Sequence, residues 1–250
     1  MRLVGYLLGL CLALAACSRP DPLTGLQPGE RGRVVRVLDG DALVLDTGQS
    51  VRLVGIEAPA GPYRDRKGEP FHEEARRMLE DMTLGREVEL FYAGLTRDRY
   101  DRALAQVQTT DALGPALWLN AEMLKRGGAR MRVYPDTAAG SETFPALEAA
   151  ARKDRTGLWK LATYKVPDAA ALPDPFERFQ LVEGVVTGMA GSDAFGTACD
   201  LTLEGSALVL AVGTAAAQYC QLAEGTHVLA RGYVRDGRIE IAHVLDLQPS

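Results

Sequence analysis

The chain has 250 residues, enough for one or two domains, of which 47% are hydrophobic and 24% are charged. This balance excludes a wholly disordered chain and predicts a packed core. The formal net charge of −5 excludes attraction of nucleic acid by the overall field, so nucleic-acid binding would need a local basic patch.

The first residues predict an export signal. Met1-Arg2 supply a positive charge, residues 3–16 are almost wholly apolar, and Cys17 follows. This run is too short for a membrane span and is typical of a secretory signal. Leu14-Ala15-Ala16-Cys17 resembles a bacterial lipoprotein box, which implies cleavage after residue 16 and acylation of Cys17. The alternative is an ordinary cleaved signal with an incidental cysteine.

The lipoprotein interpretation predicts where the mature chain resides. Several acyl chains on Cys17 would anchor it stably in a lipid bilayer, since each buried methylene contributes about 0.8 kcal/mol. Ser18, rather than an aspartate, after the cysteine implies transport to the outer membrane in bacteria with two membranes. Residues 17–30 are rich in proline and glycine and predict a flexible tether. We therefore expect an exported lipoprotein that faces the periplasm.

Residues 31–163 are predicted to form a first domain of short strands and helices. Asp39-Gly40 and Thr47-Gly48-Gln49 are turn signals between early strands, and Gly127-Gly128 closes a helix. We predict strands at 33–38, 42–46, 51–56, 87–92 and 103–108, and helices at 71–84, 118–126 and 144–153. This order predicts a mainly β fold with helices, of the α+β class: a five-stranded OB-fold barrel with packed helices.

A second domain is predicted at 178–250, after a proline-bounded linker at 164–177. Glu224-Gly225 and Asp236-Gly237 are turn signals, and residues 213–217 are small and predict a loop. Strands are predicted at 181–186, 199–203, 208–212, 227–233 and 239–245. Five such strands predict a second small β-barrel of the OB type. Residues 179–184 and 239–243 look like an accessory domain found in some bacterial thermonuclease-like proteins.

The cysteines point to one disulfide. Cys11 would leave with the signal and Cys17 would be acylated, which leaves Cys199 and Cys220. An exported protein meets an oxidising compartment, so these two are expected to form a bridge that stabilises the fold by roughly 3 kcal/mol. Two separate buried thiols are the alternative.

Carboxylates and arginines alternate through the first domain. Asp39-Gly40-Asp41 is followed by Arg52, by Glu57-Ala58-Pro59-Ala60 and by Asp98-Arg99-Tyr100-Asp101-Arg102. Carboxylate oxygens suit hard cations, and a guanidinium fork suits a phosphate. With these motifs, and with Asn120-Ala121-Glu122 and Gly157-Leu158-Trp159, the chain resembles the staphylococcal-nuclease (thermonuclease) family over about residues 31–160. The resemblance implies the same OB barrel.

The resemblance also implies roles for individual residues. Asp41 and Glu57 would hold calcium, with the backbone carbonyl of Ala58 as a third ligand. Arg52 and Arg102 would clamp the substrate phosphate. The alternatives are a surface carboxylate beside a turn for Asp41, and a salt bridge with a barrel carboxylate for each arginine.

Two further positions bear on this site. Tyr134 matches a family tyrosine near the substrate phosphate, although packing at the rim or in the core would explain it equally well. Asp101 stands where the family commonly has glycine, and its carboxylate could weaken the Arg102 clamp by pairing with it.

Ala60 is the main departure from the family pattern. The resemblance implies a glutamate at this position that helps to activate the attacking water. Loss of a general base lowers a rate by about 10²–10⁴-fold. Glu69, Glu73 or Glu74 could in principle reach the water, and the spacing singles out none of them.

Two functions follow from these expectations. The first is a membrane-anchored, calcium-dependent phosphodiesterase that hydrolyses DNA or RNA slowly. The second is a catalytically inactive lipoprotein that keeps the barrel to bind nucleic acid, an envelope polymer or a protein. Nucleic acid would meet a local basic patch, for which the candidates are residues 64–67, 97–102, Lys125-Arg126, Arg130 and Arg132.

Overall fold

The computed structural model describes residues 22–172, 179–192 and 196–250. The predicted signal, Cys17 and the start of the tether lie outside these residues, as does part of the predicted linker. No helix in the described ranges combines the length and the apolar character that crossing a bilayer requires.

The first barrel is built from five strands. They are β1 (Gln27–Asp39), β2 (Ala42–Leu45), β3 (Ser50–Leu53), β5 (Glu87–Tyr92) and β6 (Ala103–Thr109). They close in the order β1-β2-β3-β6-β5, and β3 runs parallel to β6. Strict alternation buries every second side chain of β5, as expected for a strand with one face on a core. Because Gln27 already pairs with Tyr92, residues 27–30 of the predicted tether belong to the barrel.

A short ladder and three helices complete this domain. The strands β4 (Ile56–Glu57) and β7 (Arg130–Met131) pair with each other, so the predicted third strand is split at Val54 and Gly55. The helices are α1 (His72–Thr83), α2 (Leu119–Lys125) and α3 (Phe144–Lys153). Buried Asn120 ties α2 to the barrel, because its side chain accepts from the Val107 amide at 2.9 Å and donates to the Val54 carbonyl at 2.8 Å.

The second barrel repeats the topology of the first. Its strands are β8 (Phe179–Gly191), β9 (Thr197–Leu203), β10 (Val209–Gly213), β11 (His227–Arg235), β12 (Arg238–Ile241) and β13 (Leu247–Pro249). Strands β8 to β12 form a closed circuit in which β10 runs parallel to β12, as β3 does to β6. The expected fold class, two OB-type barrels with helices, is confirmed.

Two segments of the second barrel differ from expectation. The predicted loop at 213–217 instead enters a 3₁₀ helix, Thr214–Gln221, which carries Cys220 to β9, where it forms a disulfide with Cys199. The last predicted strand stops at Ile241. His243 and Asp246 cap the 3₁₀ turn Val244–Asp246 reciprocally, which gives the backbone an alternative to the ladder.

The two barrels meet at a buried ion pair. Arg231 on β11 donates from Nη1 to Glu148 Oε2 on α3 at 2.7 Å, and both side chains are almost fully buried. Glu148 Oε1 also accepts from the Met131 amide at 2.7 Å. An apolar cluster, in which Trp159 packs against Phe179 and its neighbours, lies at the same junction. The second barrel is therefore attached to the strand β7 that pairs with Glu57.

The buried carboxyl of Asp246 should make the free energy of unfolding depend on pH. Burial raises its pKa from 3.8 to about 6. Because the folded state binds this proton more tightly than the unfolded chain, the contribution to stability is complete below the unfolded pKa and is lost as the pH rises through about 6. Asp246→Asn stays neutral and keeps an acceptor for the His243 amide. Between about pH 4 and pH 7, urea unfolding should show the variant gaining about 1–3 kcal/mol relative to the parent.

The exposed turn variant Asp236→Asn is the control, and its stability relative to the parent should not change with pH. An equal change for the parent and Asp246→Asn across this range would contradict the assignment.

Candidate functional site

The tight turn before β2 places Asp41 in the core. Asp39 Oδ1 accepts from the Asp41 amide at 3.1 Å, so Asp39 caps the turn. A Cβ on Gly40 would lie 2.6 Å from the Ala58 Cβ and 2.8 Å from the Ala75 Cβ, so only glycine lets the turn approach α1 this closely. Asp41 is consequently buried, and its Oδ2 accepts from the Ala58 amide at 2.8 Å.

Arg52 forms an ion pair with Asp41. Asp41 immediately precedes β2, in which Ala42 is the register partner of Arg52 on β3. Arg52 Nη2 lies 2.8 Å from Asp41 Oδ2. Burial raises the pKa of the Asp41 carboxyl well above its usual range, although the Arg52 charge opposes this rise. Against the effect of its own burial, the carboxylates of Asp41, Asp39 and Glu57 raise the pKa of Arg52, which keeps the guanidinium charged.

Glu57 is paired with Arg132. The β4–β7 ladder and the bond from the Arg132 amide to the Gly55 carbonyl bring these residues together. Arg132 Nη1 donates to Glu57 Oε2. The same guanidinium lies between two rings, with its central carbon 4.8 Å from the Tyr134 centroid and 4.6 Å from that of Tyr233. Sequence reasoning named Arg132 only within a basic run, because nothing in the sequence showed its distant partner.

Tyr134 borders this group and is half exposed. Burial raises its pKa, while the charges of Arg132 and Arg52 lower it. The structure thus brings Asp41, Arg52, Glu57 and Tyr134 into one neighbourhood.

Arg102 has a separate set of partners. Its Nε donates to Asp98 Oδ2 at 2.8 Å, and its guanidinium lies 5.8 Å from the Tyr100 centroid. The expected competitor, Asp101, is not its partner: Asp101 is exposed and lies at 4.0 Å from Arg97. Asp101 adopts a φ of 61°, a backbone conformation that favours glycine and that aspartate also tolerates. This explains why aspartate can stand where the family commonly has glycine. Arg102 immediately precedes β6, two residues before Leu104, the register partner of Arg52.

Glu69 places its carboxylate at Ala60. Glu69 Oε2 accepts from the Ala60 amide at 2.9 Å, and the Glu69 amide donates to the Ala60 carbonyl at 2.8 Å. The other two candidates differ. Glu73 is bound to Arg76, which lowers its pKa to about 2, and Glu74 lies exposed on α1. The geometry therefore distinguishes three glutamates that the spacing could not.

In this arrangement both predicted calcium ligands are already paired with arginines. Asp41 and Glu57 each face a guanidinium, and one oxygen of Asp41 also accepts from an amide. In the part of the chain that the structure describes, no group of three or more His, Cys, Asp or Glu side chains could hold a metal. Calcium at Asp41 and Glu57 stays a prediction, and it would require Arg132 to leave Glu57.

Removal of Arg132 should strengthen calcium binding. Arg132→Ala frees the Glu57 carboxylate and removes a positive charge beside it, which corresponds to about a tenfold gain in affinity. Isothermal titration of the full chain in detergent with calcium measures this directly.

Arg31→Ala is the matched control, because Arg31 pairs with Glu89 at 2.8 Å on another part of the barrel. Unchanged calcium affinity in Arg132→Ala would contradict the competition between Arg132 and the metal.

Comparison with known proteins identifies the family of the first domain. Residues 50–161 match the family described as staphylococcal nuclease homologue. The chain is 34% identical over 131 residues to an uncharacterized endonuclease of Escherichia coli O157:H7, which covers 51% of this chain and 76% of that protein. It is 35% identical over 136 residues to a micrococcal nuclease of Shigella flexneri, an alignment that covers 52% of this chain and 73% of that protein. It is 28% identical over 130 residues to the thermonuclease of Staphylococcus hyicus, an alignment that covers 51% of this chain and 74% of that protein. The chain belongs to the staphylococcal nuclease family.

Proposed function

We propose that this protein is an exported lipoprotein, anchored through acylated Cys17, whose nuclease domain hydrolyses phosphodiesters of DNA or RNA slowly. The family membership and the nuclease relatives support a phosphodiesterase. The lipoprotein box supports the anchor, with the outer membrane as its place and the nuclease domain facing the periplasm.

One observation carries the proposal of slow hydrolysis. The position that would hold a glutamate side chain is Ala60, and the carboxylate of Glu69 lies at the Ala60 amide instead. Glu69 belongs to a loop that returns to Ala60 through two hydrogen bonds, so its carboxylate is held two residues along the chain from Ala58, whose amide binds Asp41. A water between Glu69 and a phosphate held by Arg52 could lose its proton to this carboxylate.

Two features lower the rate. Glu69 reaches the site from a neighbouring loop, and its Oε2 is occupied by the Ala60 amide. Arg52 is shared between Asp41 and any phosphate, which weakens a clamp that works by two charge-assisted bonds. Arg102 would join the clamp only on leaving Asp98.

The second candidate is an inactive binding protein. It is favoured by the pairing of both carboxylates with arginines, Asp41 with Arg52 and Glu57 with Arg132. Such a protein would retain the barrel and its anion-binding side chains without hydrolysis.

Cleavage of a fluorescent single-stranded oligonucleotide by the full chain, in detergent with calcium, tests the proposal. Glu69→Gln should lower the residual rate about 100-fold, because it removes the carboxylate that accepts the proton. Ala60→Glu should raise the rate by a similar factor, because it restores a base at the exposed position.

Glu74→Gln is the matched control for Glu69→Gln, because it makes the same chemical change at an exposed position of α1. Ala60→Gln is the matched control for Ala60→Glu, because it adds a side chain of similar size without a carboxylate. A parent rate as high as that of Ala60→Glu would show that Ala60 does not limit hydrolysis. Absence of cleavage in every variant would favour the inactive binding protein.

A further inference from the structure

A cleft of about 750 Å³ opens beside the candidate site and is lined by both barrels. Arg132 and Tyr134 line it from the first barrel, and Phe179, Tyr233 and Arg235 line it from the second. Its volume falls within the range of roughly 300–1,000 Å³ of ligand sites. Arg132, which lines the cleft, also binds Glu57, and the Glu57 charge in turn acts on Arg52.

The cleft lies on the face that OB barrels use for ligands. These barrels bind oligonucleotides and oligosaccharides on their second and third strands and on the loop between the fourth and fifth. In the second barrel those elements are β9, β10 and the β11–β12 turn, and each contributes to the lining through Thr197, Ala211 and Asp236 respectively. The second barrel thus presents its ligand face to the nuclease site.

The side chains in the cleft suit bases and phosphates. Tyr134 is 49% exposed and Tyr233 is 37% exposed, although both rings contact the Arg132 guanidinium. Arg235 lies 5.5 Å from the Tyr233 centroid, and it forms no ion pair with any residue that the structure describes. Exposed aromatic rings stack with unpaired bases, and free guanidinium groups bind the backbone that joins them.

The charged side chains of the cleft indicate which of the two ligand classes, nucleic acid or a neutral sugar polymer, it favours. Four arginines line the cleft: Arg132, Arg231, Arg235 and Arg238. Three of them are paired with carboxylates, namely Glu57, Glu148 and Asp200, so among the described residues Arg235 is the lining cation left available to a ligand. An available guanidinium beside an exposed aromatic ring favours a chain of bases joined by phosphates over a neutral sugar polymer.

We propose that this cleft binds single-stranded nucleic acid, with Tyr233 as a stacking surface and Arg235 as a phosphate contact. The second barrel would then supply half of the binding site and hold the strand beside Arg52. This rests on the proposed function only for the fate of the strand, since binding in the cleft needs no hydrolysis.

Fluorescence anisotropy with a labelled oligothymidylate, in EDTA so that no calcium is present, tests the proposal on the full chain in detergent. Tyr233→Ala should weaken binding about tenfold, as expected for the loss of one stacked base, and Tyr233→Phe should bind like the parent. Arg235→Ala should weaken binding and reduce the salt dependence by about one phosphate contact.

Arg33→Ala serves as the charge-matched control, because Arg33 pairs with Glu87 at the surface of the first barrel. Near-UV circular dichroism of Tyr233→Ala shows whether this variant keeps its fold. If Tyr233→Ala does not fold, the binding measured for Tyr233→Phe and Arg235→Ala tests the proposal instead.

Equal oligothymidylate binding by the parent and Arg235→Ala would overturn the proposal, as would displacement of the oligothymidylate by a neutral maltooligosaccharide. Cleavage of the strand in calcium is recorded separately. Its absence would count against the proposed hydrolysis, while binding that depends on Tyr233 and Arg235 would still support the cleft.

Discussion

The buried pair between Glu148 and Arg231 is the constraint on which the rest of the structure depends. Both groups are withdrawn from water, so neither can lose its partner without leaving an uncompensated charge in the interior. Glu148 uses its second oxygen to hold the Met131 amide, and this fixes β7. Since β7 pairs with β4, the same carboxylate that joins the two barrels also positions Glu57 and Arg132.

The site differs from a simple acidic pocket because its charges are already compensated within the protein. Asp41 faces Arg52, Glu57 faces Arg132, and Asp98 faces Arg102. In the proposed hydrolysis, a phosphate or a metal would have to compete with one of these pairs. Arg132 connects this compensation to the second barrel, because its guanidinium also lies against Tyr233.

Local sequence signals predicted the helices and strands better than they predicted the contacts between residues distant in the chain. Turn residues and apolar spacing identified β5 and α3 with their observed bounds, and the strand order led to the OB barrels. The pairing of Glu57 with Arg132 spans 75 residues, and no local pattern reports such a distance. The same holds for the junction: a glutamate inside a helix is usually solvated, but Glu148 is buried where α3 meets Arg231 of the second barrel.

A double-mutant cycle across the junction tests the central claim, that this ion pair makes the barrels one unit. Glu148→Gln keeps an acceptor for the Met131 amide, and Arg231→Met removes the opposing charge. We predict that each single variant loses about 3–5 kcal/mol in the free energy of unfolding, and that the double variant loses at least about 2 kcal/mol less than the sum. Additive losses, within about 0.5 kcal/mol, would show that the pair does not couple the barrels.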